Sequence, residues 1–168
     1  MRCIAESVDR VISTPLGTPR PGPVLRGFRA KDLTSVARIV GEALHEHYDN
    51  SLYFSLSQPW PSGFLIAVDP TDTAVGFLLG VTQVEGEARV LMFAVDRGSR
   101  TRGVGTTLMS EFLDRCRARG MRRATLEVRV SNVSAIRFYT RFRFGVTDLL
   151  RGYYSDGESG YQMARDLP

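Results

Sequence analysis

Two hydrophobic periods alternate along the chain after about residue 23. Apolar residues at every second position indicate strands, and apolar residues three or four positions apart indicate helices. On this basis, strands are predicted over residues 24–28, 64–68, 74–84, 89–95, 124–130, 144–154 and 158–164. Helices are predicted over residues 33–44, 104–119 and 134–142. This mixed order predicts an α/β or α+β sandwich with a central mixed sheet.

The helix that starts at Val104 has the clearest amphipathic pattern. Gly120 follows it as the predicted C′ residue, a position where a left-handed backbone suits glycine. The first helix is predicted to begin after an N-cap at Asp32, and residues 45–62 are aromatic and irregular. The apolar stripe of the long helix consists of Val104, Leu108, Met109, Phe112, Leu113 and Cys116. This stripe is the surface that we expect to pack on the sheet.

Residues 1–23 differ from the rest of the chain. Proline and glycine crowd their second half, which predicts a flexible tail ahead of one domain over residues 24–168. The 168 residues are 43% hydrophobic and 24% charged, as in ordinary soluble globular proteins. The chain has no apolar run of membrane-spanning length and no secretory pattern, and Cys3 and Cys116 match no metal spacing. We therefore expect a cytoplasmic protein without membrane contact or a metal.

A glycine-containing loop connects the strand at 89–95 to the long helix. Backbone N–H groups at a helix N-terminus form an anion site, and arginines add charge for a pyrophosphate. The net charge of +4 agrees with an anionic ligand, from nucleic acid to a phosphorylated cofactor. The plainer alternative is a tight turn with a solvated basic cap, and neither P-loop nor Rossmann spacing is present. The loop consists of Arg100, Thr101, Arg102, Gly103, Val104, Gly105 and Thr106.

Two longer segments carry a family resemblance. One runs from Leu126 to Tyr139 as a strand, a polar turn and a short helix, and the other is the ending from Gly152 to Leu167. Together with the loop over 100–106, they resemble the Gcn5-related N-acetyltransferase (GNAT) superfamily, and within it the N-terminal protein acetyltransferase branch. That branch includes archaeal N-α-acetyltransferases, the bacterial enzyme RimI and the catalytic subunit of NatA. The resemblance is strong from about Arg89 onward and weaker over residues 24–84.

The resemblance implies both a fold and a reaction. The fold is the GNAT fold, an α/β architecture whose central, mixed and mostly antiparallel sheet of about seven strands is flanked by helices. The reaction moves an acetyl group from acetyl-CoA to the N-terminal amine of a protein, by direct attack in a ternary complex and without a metal. A backbone N–H from the strand end at 93–95 is implied to polarise the thioester, and Asn132 to bind the pantetheine arm. The residues implied for acetyl-CoA are Phe93, Ala94, Val95, Arg100, Thr101, Arg102, Gly103, Val104, Gly105, Thr106, Asn132 and Tyr139.

The resemblance also implies residues on the acceptor side. The segment over 44–48 resembles a junction of that branch in which a glutamate holds the substrate N-terminus, so Glu46 is a candidate for substrate binding and catalysis. Glu127 is a second candidate acid or base, and Tyr139 is the candidate donor to the departing sulfur. The residues implied to wall the groove for a polypeptide N-terminus are Tyr48, Tyr153 and Tyr154.

These residues also have plainer interpretations. Glu46 suits an exposed loop acid, and Glu127 suits a strand residue paired with Arg89 or Arg129. Tyr139 lies at helical spacing from core positions, and the tyrosine pair near the C-terminus suits a strand. Arg89 stands where archaeal relatives carry a histidine that is their proposed base, and arginine cannot accept a proton. The base is therefore expected to be a glutamate or to act through water.

Two other functions stay open. One is a GNAT enzyme that acetylates a small-molecule amine or a lysine, which an open acceptor site would favour. The other is a non-catalytic module that binds acetyl-CoA or RNA, and the substitution at Arg89 supports it. A basic run that suits RNA consists of Arg115, Arg117, Arg119, Arg122 and Arg123. The expected partner is a protein or peptide N-terminus; association with the ribosome, including a ribosomal protein as acceptor, stays open, and nucleic acid is not expected as a substrate.

Overall fold

Seven strands and four α-helices make up the computed structural model, which describes residues 22–44 and 46–168. The tail predicted over residues 1–23 falls almost wholly outside the described residues. The strands are β1 (Val24–Gly27), β2 (Phe64–Val68), β3 (Ala74–Val84), β4 (Glu87–Val95), β5 (Arg123–Arg129), β6 (Gly145–Leu150) and β7 (Gly160–Asp166). The helices are α1 (Leu33–Leu44), α2 (Asn50–Ser57), α3 (Val104–Ala118) and α4 (Val133–Arg141), with single 3₁₀ turns at Ala30–Asp32, Pro61–Gly63 and Arg97–Ser99.

One sheet contains all seven strands, in the order β1-β2-β3-β4-β5-β7-β6. Neighbouring strands are antiparallel except β4 and β5, which are parallel. This confirms the expected α/β fold with a mixed, mostly antiparallel sheet. The helices of the described chain are all too short or too polar to cross a membrane.

The parallel strands β4 and β5 separate toward their C-terminal ends. Their pairing covers only Glu87–Val90 against Arg123–Leu126, although both strands continue further. Beyond Val90, β4 pairs with β3 alone, so alternate backbone groups of its last residues face away from a partner strand. The sheet therefore contains a gap between the ends of β4 and β5.

A bulge in β4 lies where this gap begins. Leu79 of β3 faces Met92 and Gly80 faces Val90, so Leu91 is an extra residue in β4. The extra residue changes which side of the sheet the later side chains occupy, because a bulge interrupts the alternation of the strand. Leu91 and Met92 consequently both pack on the side covered by α1.

Each face of the sheet has its own hydrophobic core. The core that contains α3 and α4 includes the whole predicted stripe of α3, which is buried from Val104 to Cys116 and confirms that prediction. The other core contains α1 and α2. Packing against α3 is close enough that a Cβ on Gly80 would lie 2.2 Å from the Phe112 ring. Gly120 ends α3 with a φ of +74°, as predicted for a C′ glycine.

The start of the first helix differs from the prediction. Asp32 does not cap α1 but ends the 3₁₀ turn before it, where its buried carboxylate accepts from the backbone N–H of Arg29 at 2.8 Å. Both Nη atoms of Arg26 also donate to this carboxylate, at 2.6 and 2.7 Å. A buried carboxylate must be hydrogen-bonded to offset its desolvation, and here Arg26 of β1 supplies two of the donors. Asp32 therefore connects β1 to the beginning of α1.

Two other segments also depart from the predictions. The segment over 45–62, expected to be irregular, contains α2, whose N-cap Asp49 accepts from the N–H of Ser51 at 2.8 Å. The strand expected over 144–154 ends at Leu150, and β7 begins only at Gly160. The Asp-Gly turn is present in between, with a φ of +85° at Gly157. Residues 151–159 thus form a longer loop than the sequence indicated.

Candidate active site

The loop before α3 has the backbone geometry of an anion cradle. Thr101 and Gly103 have φ values of +65° and +79°, and Gly103 is the N-cap residue of α3. No acceptor among the described residues is found for the N–H groups of residues 101–103, and the first N–H groups of a helix have no partner within it. A Cβ on Gly103 would meet nothing within 4 Å, so open space lies in front of this backbone.

The two arginines of this loop differ in their surroundings. Arg100 is half-buried, and its Nε donates to the carbonyl of Val95 at 3.0 Å. Arg102 is exposed. Arg100 thus fastens the loop to the end of β4, whereas Arg102 has its guanidinium in solvent.

Asn132 is the N-cap residue of α4. Its Oδ1 accepts from the N–H of Ala135 and from Oγ of Ser134, both at 3.1 Å. Capping therefore occupies the side-chain oxygen, and only the NH₂ group is left to donate to a ligand.

Tyr139 lies inside the core on the α3 face of the sheet. Its ring centroid is 6.4 Å from that of Phe93, 5.5 Å from Phe138 and 6.0 Å from Phe144. The residue is completely buried, so the plainer interpretation of packing at helical spacing holds for its ring. Because Phe93 belongs to β4, the tyrosine ring also joins the two segments predicted to hold acetyl-CoA.

Glu127 and Arg89 form an ion pair across the parallel strands. Arg89 lies opposite Thr125, so Glu127, two residues further, projects from the same face of β5. Nε and Nη2 of Arg89 donate to Oε2 of Glu127 at 2.9 and 2.8 Å. Glu127 is only 4% exposed, and its Oε1 accepts no hydrogen bond from the described residues. Of the two partners expected for Glu127, the structure has Arg89 and not Arg129.

The same guanidinium reaches beyond the ion pair. Nη2 of Arg89 donates to the hydroxyl of Tyr153 at 3.0 Å, and Nη1 donates to Oε1 of Gln83 at 3.3 Å. Tyr153 belongs to the loop over 151–159, and Gln83 lies near the end of β3. Arg89 therefore joins β3, β5 and this loop at the point where the gap opens.

The loop over 151–159, not a strand, carries Tyr153 and Tyr154, which corrects the expectation that both suit a strand. Tyr154 is buried, and the guanidinium of Arg129 lies 4.0 Å from its ring centroid. Nη1 of Arg129 also donates to Asp156 at 2.8 Å and to Glu158 at 2.6 Å. Arg129 therefore ties the loop to the end of β5.

Glu158 extends these contacts to the turn before α4, which contains a residue predicted to bind acetyl-CoA. Its Oε1 accepts from the N–H of Ser131 at 3.0 Å, next to Asn132. These bonds from Ser131 and Arg129 lower the pKa of Glu158. The sequence motif contained Arg129 and Glu158 without giving them a role; the signal available was that Arg129 shares a face of β5 with Glu127.

Glu46 and Tyr48 lie in the segment between α1 and α2, and both are half-buried. Among the described residues, the Glu46 carboxylate has no hydrogen bond or ion pair; His45 lies outside them. Tyr48 packs on the core of the α1 face together with Tyr153 and Leu91. The three tyrosines predicted for the acceptor groove thus share one face of the sheet.

The other features that could support chemistry, which are the Cys116 thiol, a metal site and a surface cavity, do not add to the region around the gap. Burial raises the pKa of the Cys116 thiol to about 12, which agrees with packing and not with nucleophilic catalysis. No group of three or more His, Cys, Asp or Glu side chains within residues 22–44 and 46–168 is arranged to hold a metal ion. A cavity of about 470 Å³ lies between residues 82–87 and 119–122, at the opposite end of β4 from the gap.

The known proteins that this chain resembles are acetyltransferases or members of their family. The acetyltransferase (GNAT) family matches residues 32–144. The solved structure of Ard1 from Thermoplasma volcanium is 40% identical, with a TM-score of 0.84 over 88% of this chain and 99% of that one. An uncharacterised N-acetyltransferase of Methanocaldococcus jannaschii is 34% identical over 86% of this chain and 92% of its own length. The N-alpha-acetyltransferase daf-31 of Caenorhabditis elegans is 31% identical over 85% of this chain and 82% of its own.

Proposed function

The chain belongs to the acetyltransferase (GNAT) family, within its N-terminal acetyltransferase branch, and from this premise we propose that it transfers acetyl from acetyl-CoA directly to the α-amine of a bound polypeptide. The observation that carries this proposal is the arrangement around the gap between β4 and β5. The segments proposed for acetyl-CoA lie on the α3 face, and the proposed acceptor tyrosines lie on the α1 face. Two substrates that approach from opposite faces can meet in such a gap without a covalent enzyme intermediate.

On the cofactor side, we assign the pyrophosphate to the loop over 100–106 and the start of α3. Its backbone N–H groups without acceptors, the open space at Gly103 and the exposed Arg102 support this assignment. The NH₂ group of Asn132 is the proposed donor to the pantetheine arm. The end of β4 at 93–95 offers backbone N–H groups toward the gap, as polarisation of a thioester carbonyl requires.

When bound, acetyl-CoA supplies a thioester carbon that an uncharged amine can attack. An α-ammonium has a reference pKa of roughly 7.7–8.0 and a lysine ammonium roughly 10.4, so the α-amine loses its proton far more readily at neutral pH. The amine nitrogen bonds to the carbonyl carbon, the carbon–sulfur bond breaks, and the amine proton passes to Glu127 or Glu46, directly or through water. Tyr139 is the proposed donor of a proton to the departing thiolate.

Glu127 has the better-supported position of the two carboxylates. It is buried beside the gap, and Arg89 connects it to Tyr153 of the proposed acceptor wall. Glu46 is proposed to bind the substrate ammonium, because it lies next to Tyr48 in the segment between α1 and α2. We also propose a cytoplasmic reaction, with ribosomal proteins among the acceptors, because the sequence resemblance extends to RimI.

A peptide panel tests the proposal. Peptides that differ at their first two positions are incubated with the protein and acetyl-CoA, and CoA release is followed over time. We expect turnover with at least one free N-terminus and none with an N-terminally blocked peptide that contains lysine. Turnover of the blocked peptide or of simple amines alone would instead support a lysine or small-molecule acetyltransferase.

A further inference from the structure

Arg89 donates hydrogen bonds to both Glu127 and Tyr153, and the proposed reaction does not by itself explain these contacts. Resting on the proposed function, we infer that Arg89 is a positioning residue: it holds Glu127 through Oε2 and Tyr153 through its hydroxyl, so that Oε1 of Glu127 is the oxygen that receives the substrate proton. Arg89 itself cannot be the base, since a guanidinium stays protonated. It acts through the two residues that it orients.

The contacts of Arg89 are directional. Two of its N–H groups converge on the single oxygen Oε2 of Glu127, at 2.8 and 2.9 Å, and this leaves Oε1 without a donor among the described residues. A carboxylate held in this way cannot rotate without breaking both bonds, because the guanidinium fork is planar and rigid. Oε1 thereby keeps one direction relative to β5.

The contact with Tyr153 couples the carboxylate to the acceptor side. Nη2 donates both to Glu127 and to the Tyr153 hydroxyl at 3.0 Å, so the two groups share one donor nitrogen. The side chain of Arg89 is 19% exposed and that of Glu127 5%, which leaves little room for alternative conformations. The proposed base and the proposed wall are consequently fixed relative to each other.

If the ion pair of Arg89 and Glu127 were only structural, its loss would have a different effect. Such a pair would contribute to the cohesion of β4 and β5, and its loss would lower stability without a specific effect on turnover. Arg115 provides a matched control, because it also pairs with a carboxylate, Glu111 at 2.7 Å, and donates to a backbone carbonyl at 2.8 Å. It lies in α3, away from the gap.

The test measures kcat, the KM for a peptide and the affinity for acetyl-CoA in six variants, one of which is Glu127→Gln alone. Arg89→Gln removes the fork, and Arg89→Lys keeps the charge without the fork. Arg89→Gln combined with Glu127→Gln removes both charges, so no buried charge is left unpaired in that protein. Tyr153→Phe and Arg115→Gln complete the set. The free energy of unfolding of each variant, from urea titration, identifies a loss that is only structural.

We expect Arg89→Gln to lower kcat by about 10- to 100-fold, which is the scale of effect when a catalytic group is misplaced or lost. Arg89→Lys should recover only part of this loss, and acetyl-CoA affinity should stay unchanged. The double variant should be no slower than Glu127→Gln alone, since Arg89 acts through Glu127. Tyr153→Phe should raise the peptide KM by roughly 10-fold or more, the scale of one hydrogen bond to a charged group, because the hydroxyl accepts from the Arg89 guanidinium. Arg115→Gln should match the unaltered protein.

Three results would overturn the inference in a protein that acetylates peptides. The first is wild-type kcat and KM in both Arg89 variants. The second is a fold loss of kcat in the double variant that equals the product of the fold losses in the two single variants. The third is unchanged turnover in Glu127→Gln. A wild-type protein that acetylates no peptide with a free N-terminus would overturn the proposed function first, and this inference with it. The two failures are distinguishable because the second is seen before any substitution is made.

Discussion

At the scale of single residues, the two candidate bases have opposite surroundings. Glu127 is buried and held by Arg89, whereas Glu46 is half-buried and makes no ion pair with the described residues. A fixed carboxylate suits proton transfer, which depends on hydrogen-bond reach, and a less constrained one suits capture of a substrate ammonium. The two glutamates should therefore affect different kinetic constants.

Replacement of each glutamate by glutamine tests this division. Glu127→Gln should lower kcat at saturating acetyl-CoA by roughly 10²-fold or more, the scale of general-base loss. Glu46→Gln should act mainly on the peptide KM, because it removes charge from a binding contact. Steady-state kinetics with one peptide separate the two effects. If both single variants and the double variant keep near-full turnover, neither carboxylate is the base, and the substrate is deprotonated in bulk water.

At the scale of elements, local pattern predicted most of the fold. The stripe of α3, both ends of β2 and β3 and the C′ glycine Gly120 are as predicted, because each depends only on neighbours in sequence. α2 was missed because Tyr53 is its only fully buried residue, so no stripe forms; its N-cap Asp49 was the available signal. β6 is exposed along nearly its whole length, so no burial pattern marks where it ends.

The candidate site was predictable only in part. The loop before α3 and the cap residue Asn132 follow from glycine placement and motif resemblance. The sequence left Arg89 and Arg129 open as partners of Glu127, and the choice of Arg89 depends on the register of two parallel strands separated by a helix. The bulge at Leu91 depends on the pairing of β3 with β4. Such long-range geometry cannot be predicted from a local sequence pattern.

The cap at the start of α4 allows structure and cofactor binding to be separated at one position. Asn132→Ala should destabilise the protein by about 1 kcal/mol, because Oδ1 no longer accepts from Ala135, whereas Asn132→Ser retains a good cap. Both substitutions remove the NH₂ donor, so both should weaken acetyl-CoA binding by roughly 2- to 12-fold. Calorimetry and urea titration measure the two effects. Wild-type affinity in Asn132→Ser would remove Asn132 from the cofactor site.

At the scale of the whole molecule, the charges that fasten the first strand make stability depend on acid. Asp72, in the turn between β2 and β3, accepts from Nζ of Lys31 and from Nε of Arg26, the latter at 2.8 Å. These bonds lower its pKa from 3.8 to about 2. A lowered carboxyl pKa in the folded state stabilises the protein above the unfolded value, and this contribution is lost as the pH falls through the folded value.

The prediction is a pH-dependent difference between the protein and its Asp72→Asn variant. The free energy of unfolding should differ by a constant amount above about pH 5 and converge as the pH approaches about 2, because the protonated aspartate then resembles asparagine. Urea titrations across this range measure the difference. Asp166→Asn is the control, since Asp166 is exposed and has no ion pair within the described residues. A difference that is independent of pH would rule out a role for the Asp72 charge.

For the molecule as a whole, we propose that two faces of one sheet bring a thioester and a polypeptide N-terminus together in the gap between β4 and β5. The most direct measurement uses one peptide that carries both a free α-amine and an internal lysine. After incubation with acetyl-CoA near neutral pH, fragmentation mass spectrometry locates the acetyl group. The account predicts a single acetyl group on the α-amine and none on the lysine. Acetylation on the lysine, or equal acetylation of the same peptide with a blocked N-terminus, would contradict it.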